Sequence, residues 1–190
     1  MVPNKRIEFI KRYTPLVKAL GAKTGIFPET IFAQAIIESS NNKGDFGANA
    51  NARNANNYFG IKASKSWNGA VYSNPEVKSE NNEFRAYDSV EDGIKDYFKF
   101  LVSSKRYRQA GVFTAANYQE QMRAIANAGY AGKGNEEKYY SLLAKVGATV
   151  SKVLGTAVET VKENKVTFGA GAALLLFGAG YLIVSNGKRK

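Results

Sequence analysis

Apolar side chains recur at helical spacing through the first forty positions. Ile7, Ile10, Tyr13, Leu16, Val17 and Leu20 share one face, with Gly21 and Gly25 following as stop signals, so a first amphipathic helix is expected there. Pro28 and Glu29 open a second, whose apolar face is Ile31, Phe32, Ala35 and Ile36 and whose end falls at Glu38, Ser39 and Ser40. From Asn41 to Asn57 the composition turns to Asn, Gly, Ala and Lys, which reads as a loop. Residues 67 to 87 are aromatic and punctuated by turns (Trp67, Asn68-Gly69, Val71, Tyr72, Phe84, Tyr87), the pattern of a small hairpin. Ser89 with Asp92 resembles a capping box, and Ile94, Tyr97, Phe98, Leu101 and Val102 continue at helical spacing. Two more helices are expected over 118–128 and 136–150. The expected class is α+β, mainly α, with one small β-hairpin.

Beyond residue 145 the pattern changes. Val146, Val150, Val153, Leu154, Ala157, Val158 and Val161 predict an amphipathic helical stalk over 146–165. The run VTFGAGAALLLFGAGYLIV at 166–184 carries no charge, and nineteen residues of helix span about 28 Å, close to the roughly 30 Å of a bilayer core. A single C-terminal transmembrane helix is expected there, embedded in a lipid bilayer and followed by a basic tail at 185–190. The first twenty residues scatter Lys and Arg instead of placing an apolar stretch behind a basic start, so no signal peptide is expected. The three charges of Lys188, Arg189 and Lys190 favour a cytoplasmic tail, with the domain of residues 1–145 on the outer side of the membrane.

Composition narrows the chemistry. The 190 residues include no His and no Cys, which removes imidazole bases, thiolate nucleophiles and Cys-type zinc sites. Acid–base work near neutral pH is left to carboxylates, Lys or Tyr. The net charge of +11 divides into +7 for residues 1–145 and +4 for the remainder. Its Lys and Arg are dispersed among helices without a nucleic-acid-binding motif, so no nucleic-acid partner is expected. A cationic surface also suits anionic wall polymers or lipids.

Glu38 is one candidate for this chemistry, although a glutamate that ends a helix is more often a solvated residue or a cap. At the C-terminal end of an apolar helix, both the helix dipole and apolar neighbours favour its neutral form. A carboxylic acid kept protonated near neutral pH is what glycosidic cleavage requires, because the leaving oxygen must receive a proton as the bond breaks. An ordered series of segments surrounds it: FAQAIIESS (32–40), NNYFGIK (56–62), SWNG (66–69), FRAYDS (84–89) and NAGYA (127–131). Together these resemble the glucosaminidase domains of glycoside hydrolase family 73, peptidoglycan hydrolases with a lysozyme-like fold, over about residues 5–145.

The resemblance implies Glu38 as general acid and Tyr130 as a tyrosine of the active-site cleft. Asn57, Phe59 and Gly60 match the block that shapes the cleft floor and are expected at the substrate, although Phe59 suits core packing equally well. Trp67, the single Trp, is expected either to stack on a sugar or to pack the hairpin. For a second carboxylate Glu76 is the best match, with Glu80 and Glu83 as rivals. Two departures stand out: the segment between Glu76 and Phe84 is shorter than in typical members, and SNNKG replaces the Gly-Trp-Gly that usually follows Glu-Ser. The implied activity is cleavage of the β-1,4 bond after N-acetylglucosamine in a peptidoglycan strand, with no metal or cofactor. Two other functions are a lytic transglycosylase using Glu38 as acid then base, and a non-catalytic wall-binding or virion structural protein. A phage virion or lysis setting and a bacterial envelope are both compatible with an anchored wall enzyme.

Overall fold

The computed structural model describes residues 4–163, with side chains described through residue 155. Its elements are α1 (Lys5–Thr24), α2 (Pro28–Ser39), α3 (Ala50–Ala55), β1 (Val71–Ser73), β2 (Glu83–Arg85), α4 (Val90–Ser103), α5 (Lys105–Gln109), α6 (Tyr118–Asn127) and α7 (Glu136–Glu163). The expected helix-dominated α+β class with one hairpin is what forms. The anchor expected at 166–184 and the basic tail at 185–190 lie outside the described residues. Among the described residues no helix is long and apolar enough to cross a membrane.

Local chemistry accounts for the helix ends. The Asn4 side chain accepts from Arg6 N–H to start α1, and Gly25 closes it in the left-handed region at φ 74°, where a Cβ would be strained. Pro28 begins α2, where its missing N–H costs no helical bond. Ser89 caps α4 by accepting from Asp92 N–H at 3.1 Å, as the capping-box pattern predicts.

α2 is the central helix. Thr30 to Ile36 are buried without a break, because α1, α6 and α7 all pack against it. Val17, Phe32, Leu101, Met122, Ile125 and Leu143 from five helices have no exposed surface and fill the space between them. Gln121, also wholly buried, donates to Gly25 and Val112 carbonyls and accepts from Phe27 N–H, pinning the α1–α2 turn to α6.

The hairpin is short and antiparallel, pairing Val71 with Arg85, Tyr72 with Phe84 and Ser73 with Glu83. Its tie to the helices runs through Arg85. The guanidinium meets Asp96 of α4 at 2.8 Å with both side chains less than a fifth exposed, and Tyr87 donates to the same carboxylate at 2.7 Å. The Arg85 charge is thus held in a setting where it needs its partner.

Three elements differ from the sequence pattern. α3 lies inside the expected 41–57 loop, nucleated by Asn49, whose side chain accepts from Ala52 N–H, and ended by Asn56 at φ 51°. α5 is too short to show a period. α7 runs through the expected boundary at 145/146, and Val150 and Leu154 bury themselves in the core, so the first turns of the expected stalk belong to the domain's own packing.

Asp96→Ala strands the Arg85 guanidinium and removes the acceptor of Tyr87. A loss of about 3 kcal/mol is expected, seen as a lower urea midpoint with little change in slope.

Candidate active site

Glu38 is the penultimate residue of α2. One turn earlier on the same face lies Gln34, wholly buried. α7 packs along α2 and brings Tyr139, from its first turn, against both. Tyr139 donates its hydroxyl to Glu38 Oε1 at 2.6 Å and accepts from Gln34 Nε2 at 3.3 Å. Burial pushes the Glu38 carboxyl up from its ordinary 4.5 to about 7, opposed in part by the Tyr139 hydrogen bond, which favours the ionised form. The surroundings are aromatic: the Tyr130 ring stacks on Tyr139 with centroids 5.7 Å apart, and Tyr107 lies beyond it. Burial, reinforced by the Glu38 charge, holds the phenols of Tyr130 and Tyr139 well above their usual range.

The expected cleft-floor block does adjoin the acid. Tyr130 donates to the carbonyl of Phe59 at 2.7 Å, tying the 57–61 loop to the segment after α6. Gly60 has φ 64°, a conformation that favours glycine, and a Cβ placed there would sit 3.9 Å from Glu38 Oε2, so the loop passes alongside that oxygen. Asn57 and Phe59, expected at the substrate, have buried side chains. Asn57 donates to the Ile61 and Arg85 carbonyls and accepts from Ile61 N–H, while Phe59 stacks on Tyr97 at 3.9 Å. Both side chains are committed to the loop and the core, and what this segment can offer a ligand is backbone.

Trp67 is half-buried, with the Arg85 guanidinium over its ring at 4.5 Å and its Nε1 donating to Ala70. With one face taken by Arg85 and its edge bonded within the hairpin, it packs the hairpin more than it offers a stacking face. Glu76 sits between β1 and β2 with its side chain 60% exposed, paired with Arg53 of α3 at 3.3 Å. Glu80 and Glu83 are exposed too. Among the described residues no hydrogen bond or ion pair joins these carboxylates to Glu38, and no group of three His, Cys, Asp or Glu converges to hold a metal.

Gln34, Asn49 and Tyr139 were not singled out by the sequence pattern. Asn49 donates to the Glu38 carbonyl while capping α3, so one residue both ends the loop between α2 and α3 and holds the backbone of Glu38. The signal for Gln34 was a polar residue on an otherwise apolar helix face, one turn before the acid.

A helical domain with a small hairpin, carrying a half-buried acid at the end of its central helix, has the architecture of a glycoside hydrolase domain. The family model described as glucosaminidase, mannosyl-glycoprotein endo-beta-N-acetylglucosaminidase, matches residues 14–152, and the chain belongs to that family. It is 32% identical over 157 residues to peptidoglycan hydrolase FlgJ of Salmonella typhimurium, covering 78% of this chain and 49% of that protein. It is also 29% identical over 133 residues to exo-glucosaminidase LytG of Bacillus subtilis, covering 65% of this chain and 45% of the relative. The chain therefore spans about half the length of these relatives. Among solved structures, the glycoside hydrolase domain of Salmonella typhimurium FlgJ superposes with a TM-score of 0.55 at 27% identity, covering 84% of this chain and 99% of that one. Peptidoglycan hydrolase from Sphingomonas sp. A1 gives 0.57 at 26% identity, covering 84% and 96%.

The raised Glu38 carboxyl has a consequence for stability that needs no substrate. A folded pKa above the unfolded one contributes stability below about pH 4.5, and this is lost as pH rises through about 7. Glu38→Gln keeps an acceptor for Tyr139 without the charge. It is expected to match wild type at pH 4 and to exceed it by about 3 kcal/mol at pH 8.5 in urea unfolding. Parallel pH dependence in the two proteins would mean that Glu38 titrates as an ordinary carboxylate.

Proposed function

We propose that this chain is a peptidoglycan hydrolase that cleaves the β-1,4 bond on the reducing side of N-acetylglucosamine, with Glu38 as general acid. The observation that carries the proposal is the Glu38 carboxyl itself: half-buried at the end of α2, bonded to Tyr139, and raised to about 7. Such a group is protonated in mildly acidic to neutral medium, and its proton can pass to the glycosidic oxygen as the C–O bond opens. The relatives named peptidoglycan hydrolase and exo-glucosaminidase support the substrate class. Tyr130 shapes the site by bridging the Phe59 carbonyl and the Tyr139 ring. In this proposal Glu76 is the second carboxylate, exposed on the hairpin loop where water reaches it, and activates the attacking water. The same proposal anchors the chain in a bilayer through residues 166–184, whose run of nineteen uncharged residues supports it, with the domain facing the wall. Carriage in a phage virion membrane would bring such an enzyme to its substrate.

A second reading has one observation in its favour. Glu38 has tyrosines as its polar neighbours and no hydrogen-bonded carboxylate among the described residues, an arrangement that also suits a lytic transglycosylase in which one Glu serves as acid then base.

Digestion of purified sacculi followed by mass spectrometry of the products tests both. Reducing-end N-acetylglucosamine is expected, with release lowered about 10²–10⁴-fold in Glu38→Gln and about 10²-fold in Glu76→Gln. Anhydromuramic ends with an active Glu76→Gln would establish the transglycosylase instead. Undiminished cleavage by Glu38→Gln would remove the acid assignment. For the anchor, the full chain is expected in the alkali-resistant membrane fraction and a chain ending at 163 outside it.

A further inference from the structure

The acid assignment leaves open which Glu38 oxygen carries the proton. The polar contacts behind it run in one direction. Tyr97 of α4, with no exposed surface, donates its hydroxyl to Gln34 Oε1 at 2.6 Å. The oxygen of the Gln34 amide is the end turned toward Tyr97. Gln34 Nε2 therefore faces Tyr139 and donates to its hydroxyl oxygen. Tyr139 has one proton, and among the described residues the acceptor it meets is Glu38 Oε1. If Oε1 carried the acid's proton, two protons would meet across 2.6 Å.

We propose that the buried chain from Tyr97 through Gln34 to Tyr139 is a positioning device that commits Oε1 of Glu38 to accepting the Tyr139 hydroxyl, and so places the transferable proton on Oε2, the oxygen that faces Gly60. Gln34 and Tyr139 are positioning residues: they act through Glu38. The geometry stands without the hydrolase proposal, and its consequence for turnover rests on that proposal. When Oε2 delivers its proton, the C–O electron pair goes to the leaving oxygen. Glu38 is left as a carboxylate whose Oε1 already holds a charge-assisted hydrogen bond. The Tyr139 contact is thus stronger after proton transfer than before it, which is the condition for it to favour the transition state.

The groups around Glu38 on the packed elements are Tyr139 of α7, Tyr130 after α6 and Tyr107 of α5, with Arg106 donating to the Tyr107 hydroxyl. Tyr139 is the one that bonds to Glu38 directly, so its removal has a defined sign: without that donor the carboxylate is less favoured and Glu38 holds its proton to higher pH.

Carboxyl ¹³C titration of the full chain carrying labelled glutamate reads this with no dependence on activity, the Glu38 signal being assigned by its loss in Glu38→Gln. Tyr139→Phe keeps the ring that stacks on Tyr130. It is expected to move the Glu38 midpoint up by about half a pH unit or more and to lower kcat on sacculi about tenfold with KM little changed. Gln34→Met is expected to shift the midpoint in the same direction by less, since Tyr139 remains but is free to turn. The double variant is expected to match Tyr139→Phe alone, because Gln34 acts through Tyr139. An unmoved midpoint in folded Tyr139→Phe, or additive shifts in the double variant, overturns the proposal. Full activity in Glu38→Gln overturns the catalytic assignment while leaving the titration result intact.

Discussion

The contact between Tyr139 and Glu38 is the interaction on which the site depends. A carboxyl withdrawn from water is driven to its neutral form, and with no hydrogen bond at all it would be a plain defect in the core. One phenol donor moderates that drive: it satisfies an oxygen and leaves the group poised near neutrality. The contact joins residues 101 positions apart, so it exists only because α7 returns along α2. The packing that buries Ile31 to Ile36 on one side and Leu143 and Val150 on the other is therefore also what assembles the acid.

The 57–61 loop, which passes Glu38 at Gly60, is held in place from several sides. Asn57 spends its whole amide on the 57–61 loop and the β2 carbonyl, which fixes where Gly60 passes Glu38. Tyr130 ties that loop to the segment after α6 from the other end. Arg85 and Asp96 fasten the hairpin to α4, and Trp67 lies against the same guanidinium. Each of these groups is polar or aromatic, and each is bonded to backbone or to a partner of opposite charge. Interactions of this kind specify a position more than they add stability. The acid is an exception of the opposite kind, a charge-bearing group in a setting that disfavours its charge, as expected where function competes with stability.

Much of the fold was legible because it is local. The apolar face of α2, Pro28 at its start, the Ser89 cap and the turn-rich hairpin all follow from residues within one or two turns of each other. Glu38 was legible for the same reason, lying at the end of an apolar helix within a recognisable series of segments. What escaped was long-range. Nothing near Tyr139 in sequence marks it out from Tyr140 beside it, and its role comes from facing Gln34 and Glu38 across the α2–α7 contact. Asn57, Phe59 and Trp67 were found as sequence blocks, but whether a side chain in such a block faces a ligand or the core depends on neighbours such as Tyr97 and Arg85, which only folding supplies. α3 and α5 escaped because helices of five or six residues show no period.

The proposed role of Glu38 as a proton donor tuned by burial is read out by the pH dependence of kcat/KM on purified sacculi. The free enzyme's falling limb reports the acid that must be protonated. This limb is expected at about 7, where burial has moved the Glu38 carboxyl. A falling limb near 4.5, the ordinary value for a solvated glutamate, would contradict it.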